Sequence, residues 1–128
     1  LGSTDFRDGC WQGFWEDDLN CIIDLKKVKE IQKIGARFYQ YNNSWIFFPK
    51  QVSIETSADS VLWENWGTIK NKESNQLRGK NIQIYQLIKQ KNTARYIKIH
   101  GENLNTVPNW HEAAGSGAWL FIDEVIIE

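Results

Sequence analysis

Cys10 and Cys21 stand eleven residues apart, too far for the CxxC spacing of a redox or zinc motif. If residues 10–14 and 19–25 form a hairpin centred between Trp15 and Glu16, the two thiols face each other. A cross-strand disulfide and two unlinked core side chains then both stay open. His100 and His111 have no third ligand at zinc spacing. His111-Glu112 begins like HExxH but continues Ala-Ala-Gly, so the metalloprotease motif fails. Glu16-Asp17-Asp18 lacks the alternating acids of a calcium loop and is expected to be a solvated turn. Glycoside hydrolysis needs two carboxylates across a cleft, a pairing such as Glu16 with Glu112, which a small all-β domain rarely houses unaided. There is no GxSxG elbow, and Gly115-Ser116-Gly117 lacks the lysine of a phosphate loop. These residues point away from catalysis and toward binding.

The aromatic content supports that direction. Seven Trp, four Tyr and six Phe make the chain 13% aromatic. Aromatic side chains fill cores first, and a surplus supplies flat platforms on which sugars or bases stack. The charge balance separates those two ligands. Fifteen Lys+Arg against sixteen Asp+Glu give a net charge of -1, which recruits neither nucleic acid nor an anionic membrane. At 128 residues, 41% hydrophobic and 24% charged, residues 1–128 make one folded domain. No apolar run approaches the roughly 18 residues of a membrane-spanning helix. The chain opens on Leu1 and contains no Met, so it is expected to be a piece of a longer protein with its N-terminal edge truncated.

The elements that must carry these residues are strands. Cys21–Leu25 is a short apolar run ending in a turn at Asp24-Leu25-Lys26-Lys27. Ile34, Ala36 and Phe38 alternate with polar neighbours, as do Val52, Ile54 and Thr56, then Ile82 and Ile84, then residues 96–100. Residues 120–127 close the series, and only 28–34 competes as a helix. Six or seven strands punctuated by turns predict an antiparallel all-β sandwich or barrel. Four loops hold much of the Trp, Asn and Gly: 13–20, 40–44, 65–79 and 101–117. Loops on a rigid β scaffold are where binding usually resides.

Several segments, in order, resemble one family. Ile23-Asp24-Leu25-Lys26-Lys27-Val28 is similar to the "hydrophobic-Asp-Leu-Gly-Lys-Val" segment of the discoidin, or coagulation factor type C, family, with Lys26 in the glycine position. Ser57-Ala58-Asp59-Ser60 followed by Trp63 resembles its "Ser-x-Asp-Gly-x-x-Trp" turn, with Ser60 replacing glycine. Ala94-Arg95-Tyr96-Ile97-Lys98-Ile99 resembles its "Ala-Arg-Tyr" strand, and Asp123-Glu124-Val125 lies in a matching closing strand. Trp11-Gln12-Gly13-Phe14, Trp45-Ile46-Phe47-Phe48-Pro49 and Trp110-His111 look like modules attached to secreted bacterial glycoside hydrolases such as β-hexosaminidases, akin to carbohydrate-binding module family 32.

The resemblance implies a galactose-binding-like jelly-roll β-sandwich that binds galactose or N-acetylhexosamine ends and is itself non-catalytic. It implies a secreted, periplasmic or cell-surface location in a bacterium, and a monomer whose partners are a carbohydrate and the parent chain's catalytic domain. Nucleic acid and membrane are not expected as partners, and no cofactor is required. Sugar sites of this family lie in loops at one end of the sandwich and combine a stacking ring with polar groups that read hydroxyls. Carried to this chain, the candidates are Trp15, Glu16, Tyr41, Asn43, Trp45, Asn109, Trp110, His111 and Trp119. Trp11 and Trp63 occupy strand positions and are expected in the core. Relatives also hold a structural calcium, for which Asp5, Asp8 and Glu124 are the nearest donors. The rival reading is a structural module that docks on the catalytic domain and binds no sugar.

Overall fold

In the computed structural model the described residues are 2–3 and 13–128. Cys10, Trp11, Asp5 and Asp8 lie outside them. Seven strands run in chain order: β1 (Gly2–Ser3), β2 (Gly13–Trp15), β3 (Leu19–Gln40), β4 (Gln51–Ser57), β5 (Glu64–Lys70), β6 (Asn81–Gly101) and β7 (Trp119–Ile127). One short 3-10 turn at Asn42–Ser44 interrupts them, and the described residues contain no α-helix. Their order in the sheet is β1-β7-β3-β6-β4-β5, with β2 also on β7, and every named pair is antiparallel.

Two long strands turn this single sheet into a sandwich. β3 and β6 pair along almost their whole length, with register slips between Asp24 and Lys29 and between Ile31 and Lys33. Extra residues in one strand bend it and sharpen its twist. Beyond the slips the partners change: β4 pairs with the Tyr96–Gly101 end of β6, and β7 with the Ile34–Tyr39 stretch of β3. Val52, Ile54 and Trp66 from one layer thereby share a core with Phe38, Tyr85, Ile122 and Val125 from the other. The result is the expected all-β jelly-roll sandwich.

The structure decides the local readings left open and corrects one. Residues 28–34 are strand, because Lys29, Glu30 and Ile31 pair with Ala94, Thr93 and Asn92 of β6. Among the described residues, Gly13–Trp15 pairs with Trp119–Phe121 and Leu19–Asp24 with β6, so these two segments are not hairpin partners of each other. Cys21 is disulfide-bonded, so its thiol is not the free core side chain of the alternative reading. Trp63 is only half-buried, with the Lys98 ammonium 4.2 Å above its ring. The core tryptophan is Trp66, 3% exposed: it is the extra residue of the bulge between Gly67 and Asn65 in β5, whereas Trp63 precedes that strand.

The segments of the resemblance meet in space. Asp24 accepts from Arg95 Nε at 2.9 Å and Nη2 at 3.1 Å, so two segments 71 residues apart are held by one fork. Those bonds and the Lys26 N–H hold the Asp24 carboxyl down at about 2. A depressed carboxylate stabilises the fold fully above its unfolded value near ~4, and the contribution is lost as pH falls through the folded one. Urea midpoints of wild type and Asp24→Asn are therefore expected to differ at pH 5 and to converge by about pH 2.

Both substituted glycine positions keep the glycine conformation. Lys26 has φ 75° and Ser60 φ 65°, in the left-handed region. A non-glycine residue there costs roughly 1–2 kcal/mol, while glycine adds about 0.5–1 kcal/mol of unfolded-chain entropy. Lys26→Gly and Ser60→Gly are each expected to stabilise the domain by about 0.5 kcal/mol in chemical unfolding.

Candidate functional site

Buried amides tie the loops together at one end of the sandwich. Asn103, fully buried, donates through Nδ2 to the carbonyls of Phe14 and Asp17, both at 2.9 Å, and its Oδ1 accepts from the Asn105 N–H at 2.7 Å. Asp18 completes this clamp, accepting from the Asn103 N–H at 2.9 Å and pairing with His100 Nε2 at 2.9 Å. Gln40 donates to the Ser74 carbonyl at 2.9 Å and accepts from the Phe48 N–H at 3.2 Å. Asn42 donates to the carbonyls of Asn75 and Leu77. Each satisfies main-chain groups that a buried loop would otherwise leave unpaired.

On this frame the 41–45 turn presents Trp45. The Ser44 N–H bonds to the Tyr41 carbonyl and the Trp45 N–H to the Asn42 carbonyl, both at 3.0 Å. Trp45 is left-handed, at φ 64°, an uncommon conformation for so bulky a residue. Its carbonyl accepts from the Trp119 N–H at 2.8 Å, which fixes the turn to the start of β7. The indole is half-buried against a small cluster of Phe47, Val107 and Ala118.

The opposite wall is the 108–117 loop. His111 Nδ1 accepts from the Ala113 N–H at 3.0 Å, so the proton sits on Nε2, which donates to the Asn42 carbonyl at 2.9 Å. Both ring nitrogens are thus engaged with backbone, and His111 locks the two loops together. Trp110 stands behind it, ring centroids 5.4 Å apart, with its Nε1 donating to Asn75 Oδ1 at 2.9 Å. Between the walls lies an open cleft of about 510 Å³ lined by Asn43, Trp45, His111, Glu112 and Ala113. Asn43 and Glu112 are exposed and make no side-chain hydrogen bond or ion pair among the described residues. Two other hollows, of about 410 and 440 Å³, contain no aromatic side chain.

The structure thus brings together Asn43, Trp45 and His111, with Trp110 as backing. Tyr41 lies outside the lining, its ring 5.7 Å from the Lys80 ammonium. Asn109 is exposed on the same loop as His111 but does not line the cleft. Trp15, Glu16 and Trp119 form a separate group. Trp15 and Trp119 are cross-strand partners with centroids 6.5 Å apart, and Trp15 and Glu16 pack over Gly117, where a Cβ would strike them. Glu112 as a lining residue was not anticipated, since only the turn geometry of residues 109–114 places it beside Asn43. Of the calcium candidates, Glu124 pairs with Arg37 at 3.4 Å. No group of three or more His, Cys, Asp or Glu converges among the described residues. Asp5 and Asp8 lie outside the described residues, so of the three calcium candidates only Glu124 is placed.

A family model described as the F5/8 type C domain matches residues 3–123. Among solved structures the chain is similar to CpGH89CBM32-5 from Clostridium perfringens, in complex with GalNAc-β-1,3-galactose. Identity there is 14% and the TM-score 0.50, over 83% of this chain and 67% of that one. It is also similar to CBM32-3 from a family 31 glycoside hydrolase of Clostridium perfringens, at 20% identity and TM-score 0.49, over 90% and 69%. The C-terminal domain of a chitobiase from Bacteroides fragilis matches at 22% identity and TM-score 0.42, over 86% and 66%. The chain spans about two thirds of the length of these chains. No curated protein sequence matches it. At such identities the first likeness speaks for the β-sandwich fold.

Proposed function

The chain belongs to the F5/8 type C domain family, and on that premise we propose that it is a non-catalytic carbohydrate-binding module whose sugar seat is the Asn43–Trp45–Glu112 cleft. The observation that carries this reading is the half-buried Trp45 ring beside two exposed polar side chains with no partners of their own. A pyranose has a C–H face that packs on an indole and a rim of hydroxyls that amide and carboxylate groups read. His111 takes the part of a brace that sets the distance between the walls, leaving hydroxyl reading to Asn43 and Glu112. The preferred ligands under this reading are galactose or N-acetylhexosamine ends. The module's role is to hold an attached glycoside hydrolase near its glycan, outside the bacterial cytoplasm. No helix among the described residues is long and apolar enough to cross a membrane.

The test is tryptophan fluorescence of the domain titrated with galactose, N-acetylgalactosamine, N-acetylglucosamine and chitobiose. A saturable response in the ~mM range, typical of shallow single sites strengthened by linkage to further copies, supports the reading. A folded domain that responds to none of them overturns it.

A second reading, docking on the parent's catalytic domain, is favoured by one observation. Ile82, Ile84 and Ile88 project from the outer side of β6 at 60%, 47% and 69% exposure, and Tyr39 and Phe121 continue the first row across β3 and β7. A contiguous apolar face of several hundred Å² marks an interaction surface. Under that reading, charged substitutions at Ile82 and Ile84 weaken association with the catalytic domain and leave sugar titrations unchanged.

A further inference from the structure

We propose that the open edge of β6, over residues 81–86, takes up an extended acidic peptide segment as an added strand. The proposal is independent of the sugar seat; it rests on the docking reading above and names the chemistry of the docked partner. β6 pairs with β3 on one side along nearly its whole length, but β4 covers only the Tyr96–Gly101 end of its other side. β5 comes near at two points, where a Cβ on Gly67 would strike the Leu87 side chain and where Lys89 Nζ donates to the Trp66 carbonyl at 3.0 Å. From Asn81 to Gln86 no described strand pairs with that edge, and no described loop or turn bonds to it through its backbone. Along such an edge every second residue turns its N–H and C=O away from the sheet, a row of groups that can pair with another chain. Ile82 and Ile84, 60% and 47% exposed, offer cross-strand neighbours to apolar side chains of that chain.

Charge decides what kind of strand fits. Residues 74–101 contain six of the chain's fifteen Lys and Arg and none of its sixteen Asp and Glu. Arg95 is held by Asp24, Lys98 lies over the Trp63 ring, and Lys91 is 3.7 Å from Glu30. Arg78, Lys80 and Lys89 are exposed, bracket the open edge, and have no ion pair among the described residues. A second copy of the chain would bring the same cations to the same edge, and edge lysines are a means by which sheets repel their own kind. A segment that alternates acidic with apolar residues answers both the cations and the isoleucines. A polyanion without a peptide backbone meets the charges alone and leaves the edge groups unpaired.

The experiment is fluorescence anisotropy of the domain with labelled peptides about eight residues long, the length of a docked strand. One alternates valine and glutamate, a second has lysine for glutamate, and a third is the first with its central residues N-methylated, which blocks both of its edges. Heparin serves as the polyanion with no strand to offer. The valine–glutamate peptide is expected to bind about fivefold more tightly than either control at low salt, since three exposed charge pairs are gained. Arg78→Glu combined with Lys80→Glu is expected to reverse the preference between glutamate and lysine peptides, and Lys89→Glu alone to reduce it; urea curves check that both variants are folded. Hydrogen exchange of the complex is expected to slow at alternate amides within residues 82–86. Equal binding of the methylated peptide overturns strand addition and leaves the isoleucine face standing as a docking surface. Equal binding of the lysine peptide, or tighter binding of heparin, overturns the acidic strand as the partner. No binding of any peptide also overturns the proposal. If charged substitutions at Ile82 and Ile84 then leave association with the catalytic domain unchanged, the docking reading falls with it.

Discussion

Asn103→Ala is expected to remove about 3 kcal/mol of stability, a large share of the roughly 5–15 kcal/mol of a domain. Asn103 is fully buried, and its amide holds the Phe14 and Asp17 carbonyls and the Asn105 N–H at 2.7–2.9 Å. Alanine leaves those main-chain groups without this partner at a part-buried position. Each lost bond costs about 1 kcal/mol net, and more where the abandoned group stays buried. Asn103→Asp serves as the second variant: it keeps an acceptor for Asn105 but turns a carboxylate toward two carbonyls, so it is expected to destabilise as much. Urea unfolding followed by tryptophan fluorescence gives the number. A loss under about 1 kcal/mol for both variants contradicts the clamp. The consequence reaches the site, because this residue ties the 14–17 segment to the loop that carries His111 and Glu112.

Trp45→Ala is expected to lower sugar affinity more than tenfold. An indole face lost from a sugar contact forfeits about 1.5–2 kcal/mol of apolar burial, and 1.4 kcal/mol is a factor of ten. For a site of ~mM affinity, that moves binding beyond the reach of a fluorescence or calorimetric titration. Alanine also has a Cβ, so the left-handed backbone at φ 64° is strained neither more nor less by it. The side chain packs on Phe47, Val107 and Ala118, so a thermal unfolding curve accompanies the titration. Trp45→Phe retains a ring and is expected to recover part of the affinity. Trp110→Ala, by contrast, removes a ring already committed to His111, Phe47 and Asn75, and is expected to weaken binding by less than the Trp45 variant. Equal losses from both would place the sugar elsewhere in the loops.

The period-two alternation at Ile34–Phe38, Val52–Thr56 and residues 96–100 was enough to read the sandwich, because a half-buried strand must alternate. Pairing was not readable in the same way. β2 and the start of β3 are neighbours in the chain, yet each pairs with a strand about a hundred or eighty residues away, and local spacing carries no trace of that. Trp63 and Trp66 differ in that one ends the Asp59 turn before β5 and the other is the bulged residue within it, a distinction that local spacing does not carry. In that turn Asp59 Oδ1 caps the Val61 and Leu62 N–H groups, which also lower its pKa. At the site, composition singled out the right loops but not the roles within them. Asn42 and Asn43 are adjacent and chemically identical; the 3-10 turn buries the first as a brace and exposes the second. His111 looks like a ligand-reading residue until its two nitrogens are seen to hold Ala113 and Asn42.

The most direct test of the account is a nitrogen–proton NMR titration of the domain with the tightest-binding sugar. The seven tryptophans each give an indole N–H signal, and the side-chain amides report alongside them. The account predicts that the Trp45 indole and the Asn43 side-chain amide shift progressively and saturate together, while the buried Trp66 and the exposed Trp15, which lies over Gly117, hold still. Shifts confined to Trp15 and Trp119, with Trp45 unmoved at saturation, would contradict it.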